Sequence, residues 1–492
     1  MSNETVEARG PVPPWNGKRL SAAFAARRDR AWTLGYASID ASVVSGQAAW
    51  EGTFPRELSG TFLRNGPARH ERGGQRYAHR WDGDGMVQRF TLSAEGVSHL
   101  GRFVQTRKLL DEDASGQMLY SGFGTPVDRM QPTPERIENS NPANIGIVRF
   151  NDEYLALWEA GQPYRIDLDT LATAGRVSWL APDRPAPFSA HPKFAADGTL
   201  WNFGVDPLND RLHLYGISRD GTPLCAHEIP VEQIAPVHDF GLTERFLVFL
   251  LPSITCNRSR LMSGASFAES CQWSPQLGMR AIAVRKADAS SIEFRLPAGC
   301  LFHVANAWEE GERIHVDYMA SADPSSLMAG WSVMAGEYRH VKGAALTRAT
   351  LDLKDSTARQ AALLDHDAEF PSVLPADVAR PYRHVLCLER SEERARDVPG
   401  YDRVALIDVH TATRQAFGFG DDWLVEEHLL VAGEHAHTPQ WAIGTALDLR
   451  NKVTVVTVFD TDDVASGPVA RARLPYALPL GLHGTFVPHG VA

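Results

Sequence analysis

Short β-type runs dominate the chain from about Trp50 to its end. GTFLRNG, MVQRFTL, EYLALWEAG, RLHLYGIS, RFLVFLLP, RIHVDYMA, RVALIDVHT and KVTVVTVFD are rich in β-branched and aromatic residues, and most are bounded by Gly, Pro, Asp or Asn. The stretch LFHVANAWEEGERIHVD (301–317) predicts a hairpin: an apolar run through Trp308, a turn in EEGE, and a return strand with apolar and polar residues alternating. Helical spacing is confined to patches such as SAAFAARRDRAW (21–32) and DSTARQAALLD (355–365). The Asp-Gly steps of WDGDGM (81–86) predict a tight hairpin turn rather than a calcium loop, which would need a later Glu ligand. No Pro/Gly/Ser-rich linker interrupts the pattern. The expectation is an all-β fold, one domain over residues 36–492 preceded by a partly irregular or helical extension over 1–35. A single all-β domain of that length favours a radial arrangement of sheets, and the lack of a strict repeat makes it an irregular propeller.

Composition agrees with a large buried core: 492 residues, 43% hydrophobic and 22% charged, with 40 Gly and 31 Pro for the turns. A net charge of −11 and no basic stripe argue against a nucleic-acid partner. Five widely spaced cysteines without a CxxC pair fit a reducing compartment, and MSNETVEARGPVPPWNGKRL lacks the apolar stretch of a signal peptide, so a cytoplasmic location is expected. The longest apolar run, FLVFLLPSI (246–254), is far shorter than the ~20 residues that span a bilayer. Peripheral membrane contact stays open, and the sequence says nothing of oligomeric state.

A histidine in the middle of an apolar strand must be hydrogen-bonded or bound to something, since an unsatisfied buried polar group costs roughly 1–3 kcal/mol. Four of the 18 histidines sit in apolar, strand-like settings beside a turn: His191 in SAHPKF, His238 in VHDFGLTERFLVFL, His303 in FHVANAW and His483 in GLHGTF. Taken singly, each reads more readily as a satisfied core histidine. Taken together they suit a borderline metal, Fe(II), Cu or Zn, and their separation rules out a site on one helix face. Metal-bound histidines commonly give their second N–H to a carboxylate. Glu159 in LALWEAGQP, Glu369 in DAEFPSV and Glu427 in VEEHLLV are acids near the ends of apolar segments and are the candidates for that role, with Glu426 competing for the last place. His428, His435 and His437 read as surface-loop residues. No GxGxxG or P-loop indicates a nucleotide.

The blocks GTFLRNGPA, WDGDGMVQRF, LALWEAGQPYRIDLDTL, SAHPKF, HDFGLTERF, FHVANAWEEG, EFP and GLHGTF occur in the order seen in the carotenoid cleavage oxygenases, which the chain resembles from about Gly60 onward. The resemblance implies a seven-bladed β-propeller with a loop and helical cap over its metal-bearing face. It implies ferrous iron on the axis, held by His191, His238, His303 and His483 as metal-binding and catalytic residues, with Glu159, Glu369 and Glu427 orienting three of the rings. The family's pattern after the third glutamate is replaced here by EEHLLVAGEHAH and HTPQWAIG, which leaves Glu426 and Glu427 unresolved. The implied reaction is scission of one C=C bond of a lipophilic alkene by both atoms of O₂, giving two carbonyl products. TRKLLDEDASGQMLYSGFGTP (106–126) resembles the apocarotenoid branch and lacks the Tyr-Arg-Asn-Pro-Phe element often found in stilbene cleavers, whereas FHVANAWEEGERIHVD is equally similar to phenylpropanoid cleavers. An apocarotenoid is the favoured substrate and a stilbene or phenylpropanoid the alternative. Rivals of other kinds are a retinoid-ester isomerase or hydrolase of the same fold, a metal-free propeller scaffold, and a zinc hydrolase, which four histidines fit poorly.

Overall fold

The computed structural model describes residues 15–179, 186–234 and 236–489. Residues 1–14 of the expected N-terminal extension lie outside them. Seven antiparallel sheets of four or five strands are arranged as a β-propeller. Blade 1 comprises Val43–Ala48, Gly60–Arg69, Asp84–Ser93 and Gly96–Phe103, and its innermost strand, Gly484–Pro488, comes from near the other end of the chain. Blades 2 to 6 follow in chain order, with inner strands Gly146–Phe150, Lys193–Phe194, Gly241–Leu242, Cys300–Glu310 and Ala368–Ser372. Blade 7 runs outward from Trp423–Ala432, and its outermost strand is Trp50–Gly52. The ring is therefore closed twice by exchange of strands between the first and last blades.

Each blade buries both faces, and a separate apolar cluster fills every gap between neighbours. Phe203, Leu212 and Leu214 of blade 3 meet Leu247, Phe249 and Val284 of blade 4, for example. Equivalent clusters seal the other six gaps. Stability is thus spread around the ring and does not depend on the axis.

Insertions between strands build the cap. The helix Arg107–Ser115 and the short helix Pro134–Asn139 lie between blades 1 and 2; Arg258–Met262 and Phe267–Ser270 interrupt blade 4; Ser325–Ser332 interrupts blade 5. Phe24, Trp32 and Tyr36 of the N-terminal segment pack against Leu424, Leu447 and Leu480, which ties that segment to the propeller.

The predicted strands and the 301–317 hairpin fold as expected, the latter turning at Gly311 (φ +60°). Three local expectations need correction. Residues 357–362 are the outer strand of blade 5 rather than a helix: Ser356 takes a left-handed turn (φ +53°), and Thr357–Ala362 then pairs with Thr347–Asp352. Helix 21–32 is instead the helix Gly17–Ala25 followed by the 3-10 turn Ala31–Tyr36. WDGDGM is no hairpin. Arg80–Asp82 form a 3-10 turn leading into the strand Asp84–Ser93, and both aspartates are engaged by protein groups, Asp82 by Thr125 Oγ1 and Asp84 by Lys108 and Arg72.

Candidate metal centre

Every blade sends one candidate residue to the axis. His191, His238 and His483 lie just ahead of the inner strands of blades 3, 4 and 1, which begin at Lys193, Gly241 and Gly484. Glu159 follows the second strand of blade 2, Glu153–Leu157. The remaining three lie within inner strands, and each sits at a β-bulge: the register slips between Leu301 and Val304 around His303, between Glu369 and Ser372, and between Val425 and His428 around Glu426 and Glu427. A bulge adds a residue to one strand and re-aims its side chain, which turns these groups toward the axis. The Glu369 bulge is sharp enough to hold Phe370 at φ +56°, a conformation disfavoured for a bulky L-residue.

The four rings converge. His191 and His238 place their Nε2 atoms 3.0 Å apart, His238 and His303 3.2 Å, and His303 and His483 3.1 Å. One donor nitrogen from each ring lies within 4.8 Å of every other. Three Nδ1 atoms are held by the predicted carboxylates: His238 by Glu159, His303 by Glu369 Oε2 at 2.5 Å, and His483 by Glu427 Oε1 at 2.7 Å. A ring that donates its Nδ1–H to a carboxylate keeps a bare lone pair on Nε2. These lone pairs then face each other, which is unfavourable without a cation between them. Two nitrogens about 2.1 Å from one ion and at right angles to each other lie about 3.0 Å apart, so the donor set fits a single transition-metal ion.

Electrostatics point the same way. Burial, reinforced by the neighbouring rings, holds His191 and His303 well below the usual histidine range. For His238 burial acts downward too, but the charge and hydrogen bond of Glu159 outweigh it and leave the ring above its ordinary value. The carboxylates differ from one another. Burial pushes Glu369 up to about 7, and its Oε1 is buried without a hydrogen-bond partner. Glu427 is equally deep, yet the charge of His483 and its hydrogen bond draw it below the usual range, and the Gly484 N–H donates to its Oε2 at 3.0 Å. A divalent charge at the Nε2 focus favours the ionised form of both.

The structure separates the two adjacent acids that the sequence left unresolved. Glu426 faces Arg64 at 3.4 Å and accepts hydrogen bonds from Thr445 Oγ1 and the Gly481 N–H, each at 2.6 Å, while Glu427 takes the His483 ring. His428 is corrected: it is buried in the blade 7 strand, its Nδ1 2.7 Å from the Glu426 carbonyl and its Nε2 2.8 Å from Thr457 Oγ1. His435 and His437 are exposed.

Sequence reasoning missed the aromatic collar. Trp81 stacks near His238 (6.3 Å between centroids), Phe302 meets it edge-on (5.7 Å), and Phe370 lies 5.3 Å from His303 and 5.5 Å from His483. A cavity of about 1660 Å³ reaches His238 and Glu159 from under the cap, with Trp81, Phe123, Trp158, Phe302 and Trp331 in its walls. In sequence these residues look like any others of a large β-protein core.

The sequence pattern of one protein family, Retinal pigment epithelial membrane protein, matches residues 37–488. The chain belongs to this family of carotenoid cleavage oxygenases. Among its curated relatives are the apocarotenoid-15,15′-oxygenase of Synechocystis, 28% identical over 453 residues (89% of this chain, 92% of the relative). The isoeugenol monooxygenase of Pseudomonas nitroreducens is 27% identical over 468 residues (89% and 94%). The lignostilbene-α,β-dioxygenase isozyme III of Sphingomonas paucimobilis is 27% identical over 457 residues (89% and 92%). A solved structure of cobalt-substituted Synechocystis ACO superimposes with a TM-score of 0.81 at 26% identity, covering 93% of this chain and 98% of its own. Family membership makes the chain an enzyme of the oxygenase class.

If the four rings hold a metal, Glu159→Gln should lower its affinity by about 10–100-fold, the usual cost of removing a partner that orients a metal-bound histidine. Iron titration against a chelator checks this, and an unchanged affinity would remove Glu159 from the group that orients the ligands.

Proposed function

We propose that the protein is an Fe(II)-dependent dioxygenase that cleaves one C=C bond of an apocarotenoid-like polyene with O₂, R–CH=CH–R′ + O₂ → R–CHO + R′–CHO. His191, His238, His303 and His483 hold the iron through Nε2, and Glu159, Glu369 and Glu427 fix the tautomer and angle of three of the rings. Ferrous iron, when bound, supplies the redox chemistry with dioxygen that no side chain of the protein can provide. Neutral imidazoles add no charge of their own and so leave the ion its full positive charge. Trp81 and Phe302 lie beside His238 and line the cavity, where they offer flat apolar surfaces to a conjugated chain, while Phe370 packs against His303 and His483. No side-chain acid or base is assigned, because the reaction as written moves no proton.

The reading is supported above all by the convergence of four Nε2 atoms, one of whose rings, His238, lines a large cavity walled mainly by apolar surface. At about 1660 Å³ the cavity has room for a long conjugated chain. Cleavage of a stilbene or phenylpropanoid to an aromatic aldehyde is the second reading, supported by the isoeugenol- and lignostilbene-named relatives.

Ferrous protein incubated with a panel of apocarotenals, stilbenes and vinylphenols under ¹⁸O₂ should release two carbonyl fragments from an apocarotenal, one labelled oxygen in each. Label in one fragment alone would contradict the dioxygenase assignment. An unchanged carbon count would point to isomerisation. Among the described residues no helix is long and apolar enough to cross a membrane.

A further inference from the structure

One buried carboxylate ties together the chain segments that carry three of the four rings. Asp239 follows His238 directly and is 3% exposed. Its Oδ1 accepts the Phe240 N–H at 2.7 Å and lies 2.9 Å from Lys193 Nζ; its Oδ2 accepts the Val304 N–H at 2.9 Å. Each of these ties leads to a different donor. Lys193 stands two residues past His191, Val304 follows His303, and Asp239 itself adjoins His238. The three segments open blades 3, 5 and 4, which share no strand pairing, so the relative placement of their inner ends depends on side-chain ties across the gaps. His483 is anchored separately: the Asn65 N–H donates to its carbonyl at 3.0 Å, and its own N–H donates to Ile145 at 3.1 Å.

We propose that Asp239, paired with Lys193, is a positioning residue that sets the mutual placement of the His191, His238 and His303 rings and so the grip of three of the four donors on the metal. The inference rests on the reading of the four rings as a metal site. Its physical basis is that an ionised carboxylate can accept several hydrogen bonds at once in one plane, and that charge-assisted bonds in a buried setting are strong and directional. Asparagine cannot replace it. One oxygen would become an NH₂ facing a backbone N–H, donor against donor, and the charge opposite Lys193 would be lost.

The test is anaerobic competition between a chelator and the apoprotein for Fe(II), repeated with Co(II), whose visible absorption bands report ligand geometry. Asp239→Asn should weaken metal affinity by about 10–100-fold and shift the Co(II) bands while the apoprotein still melts in one cooperative transition, at a lowered midpoint. Lys193→Met keeps both backbone hydrogen bonds to Asp239 and has a partly exposed side chain, so it folds; it should cost several-fold and shift the same bands in the same direction. In the Asp239→Asn background, Lys193→Met should add little, because the two act as one pair. Affinity and bands equal to wild type in both single variants would overturn the inference, as would metal loss that follows a collapsed apoprotein melting transition. Equal retention of metal by wild type and Asp239→Asn would sink this inference alone. A wild-type protein that binds no metal would overturn the site reading and this inference with it.

Discussion

Replacing His303 by alanine is expected to abolish iron binding and turnover while leaving the propeller folded. The ring is 7% exposed, contributes one of the four Nε2 donors, and lies about 3 Å from the donors of both His238 and His483. Its loss removes a donor from the middle of the set and leaves Glu369, already carrying one unpartnered buried oxygen, without its ring. The fold should tolerate this. The apolar clusters that seal the seven gaps between blades do not include His303, and Glu369 can take up a proton, since its carboxyl is pushed up to about 7 by burial. Far-UV circular dichroism and a cooperative melting transition should therefore match wild type, while metal analysis of anaerobically prepared protein finds no iron above background and no carbonyl product forms. Near-normal activity in this variant would refute the role given to His303.

The largest effect on stability is expected at Lys108, far from the metal centre. Its ammonium is 1% exposed and lies 2.7 Å from Asp84 Oδ1, 2.7 Å from the Tyr77 hydroxyl and 3.2 Å from Glu112 Oε2. Arg72 bridges the same two acids at 2.7 and 3.2 Å. Glu112 also accepts the Leu119 N–H at 2.9 Å, which joins this cluster to the cap segment that brings Tyr120 into the cavity wall. Lys108→Met strands two buried carboxylates with a single guanidinium, and breaking a buried ionic group in this way costs roughly 3–5 kcal/mol. The denaturation midpoint should fall clearly, and adding Glu112→Gln should restore part of the loss. The pH dependence has a definite sign. Burial works against the charged form of Glu112, but Lys108 and the Tyr77 hydrogen bond outweigh it and hold the carboxyl below its ordinary 4.5. A depressed acid stabilises the fold above its unfolded value and loses that contribution as pH falls through the folded one. In Lys108→Met burial dominates at Glu112 and no longer leaves it depressed, so the gap between wild type and the variant should be widest near neutrality and narrow as the pH falls toward and through about 4.5. An unchanged midpoint at pH 7 would show that the cluster contributes nothing net.

The four histidines could be picked out by their apolar, strand-like settings, but only the resemblance to the family gave them a common role. SAHPKF, VHDFGL, FHVANAW and GLHGTF each place an imidazole where an apolar strand begins or runs, and all four rings meet. Glu159 and Glu369 were legible for the same reason. The choice between Glu426 and Glu427 was not, because strand alternation should send adjacent residues to opposite faces, and only the bulge between Val425 and His428 brings both inward to different partners. His428 was misread for a related cause. Its polar neighbours suggest a loop, yet the strand continues and buries the ring against Thr457. The 357–362 strand carries alanines and a weak helical spacing, and its conformation is decided by pairing with Thr347–Asp352 rather than by propensity. Asp239 and Lys193 did leave a trace: a charged residue one or two places after a hub histidine, inside an otherwise apolar run. That trace carries no meaning until the structure puts the two side chains 2.9 Å apart.

These four imidazoles are expected to bind one ferrous ion. Crystals of the anaerobically loaded protein, measured on both sides of the iron absorption edge, test it most directly. One anomalous peak per chain is expected, bonded to the Nε2 atoms of His191, His238, His303 and His483 and to no carboxylate. A peak elsewhere, a centre that omits any of the four rings, or loaded protein with no peak at the hub would contradict it.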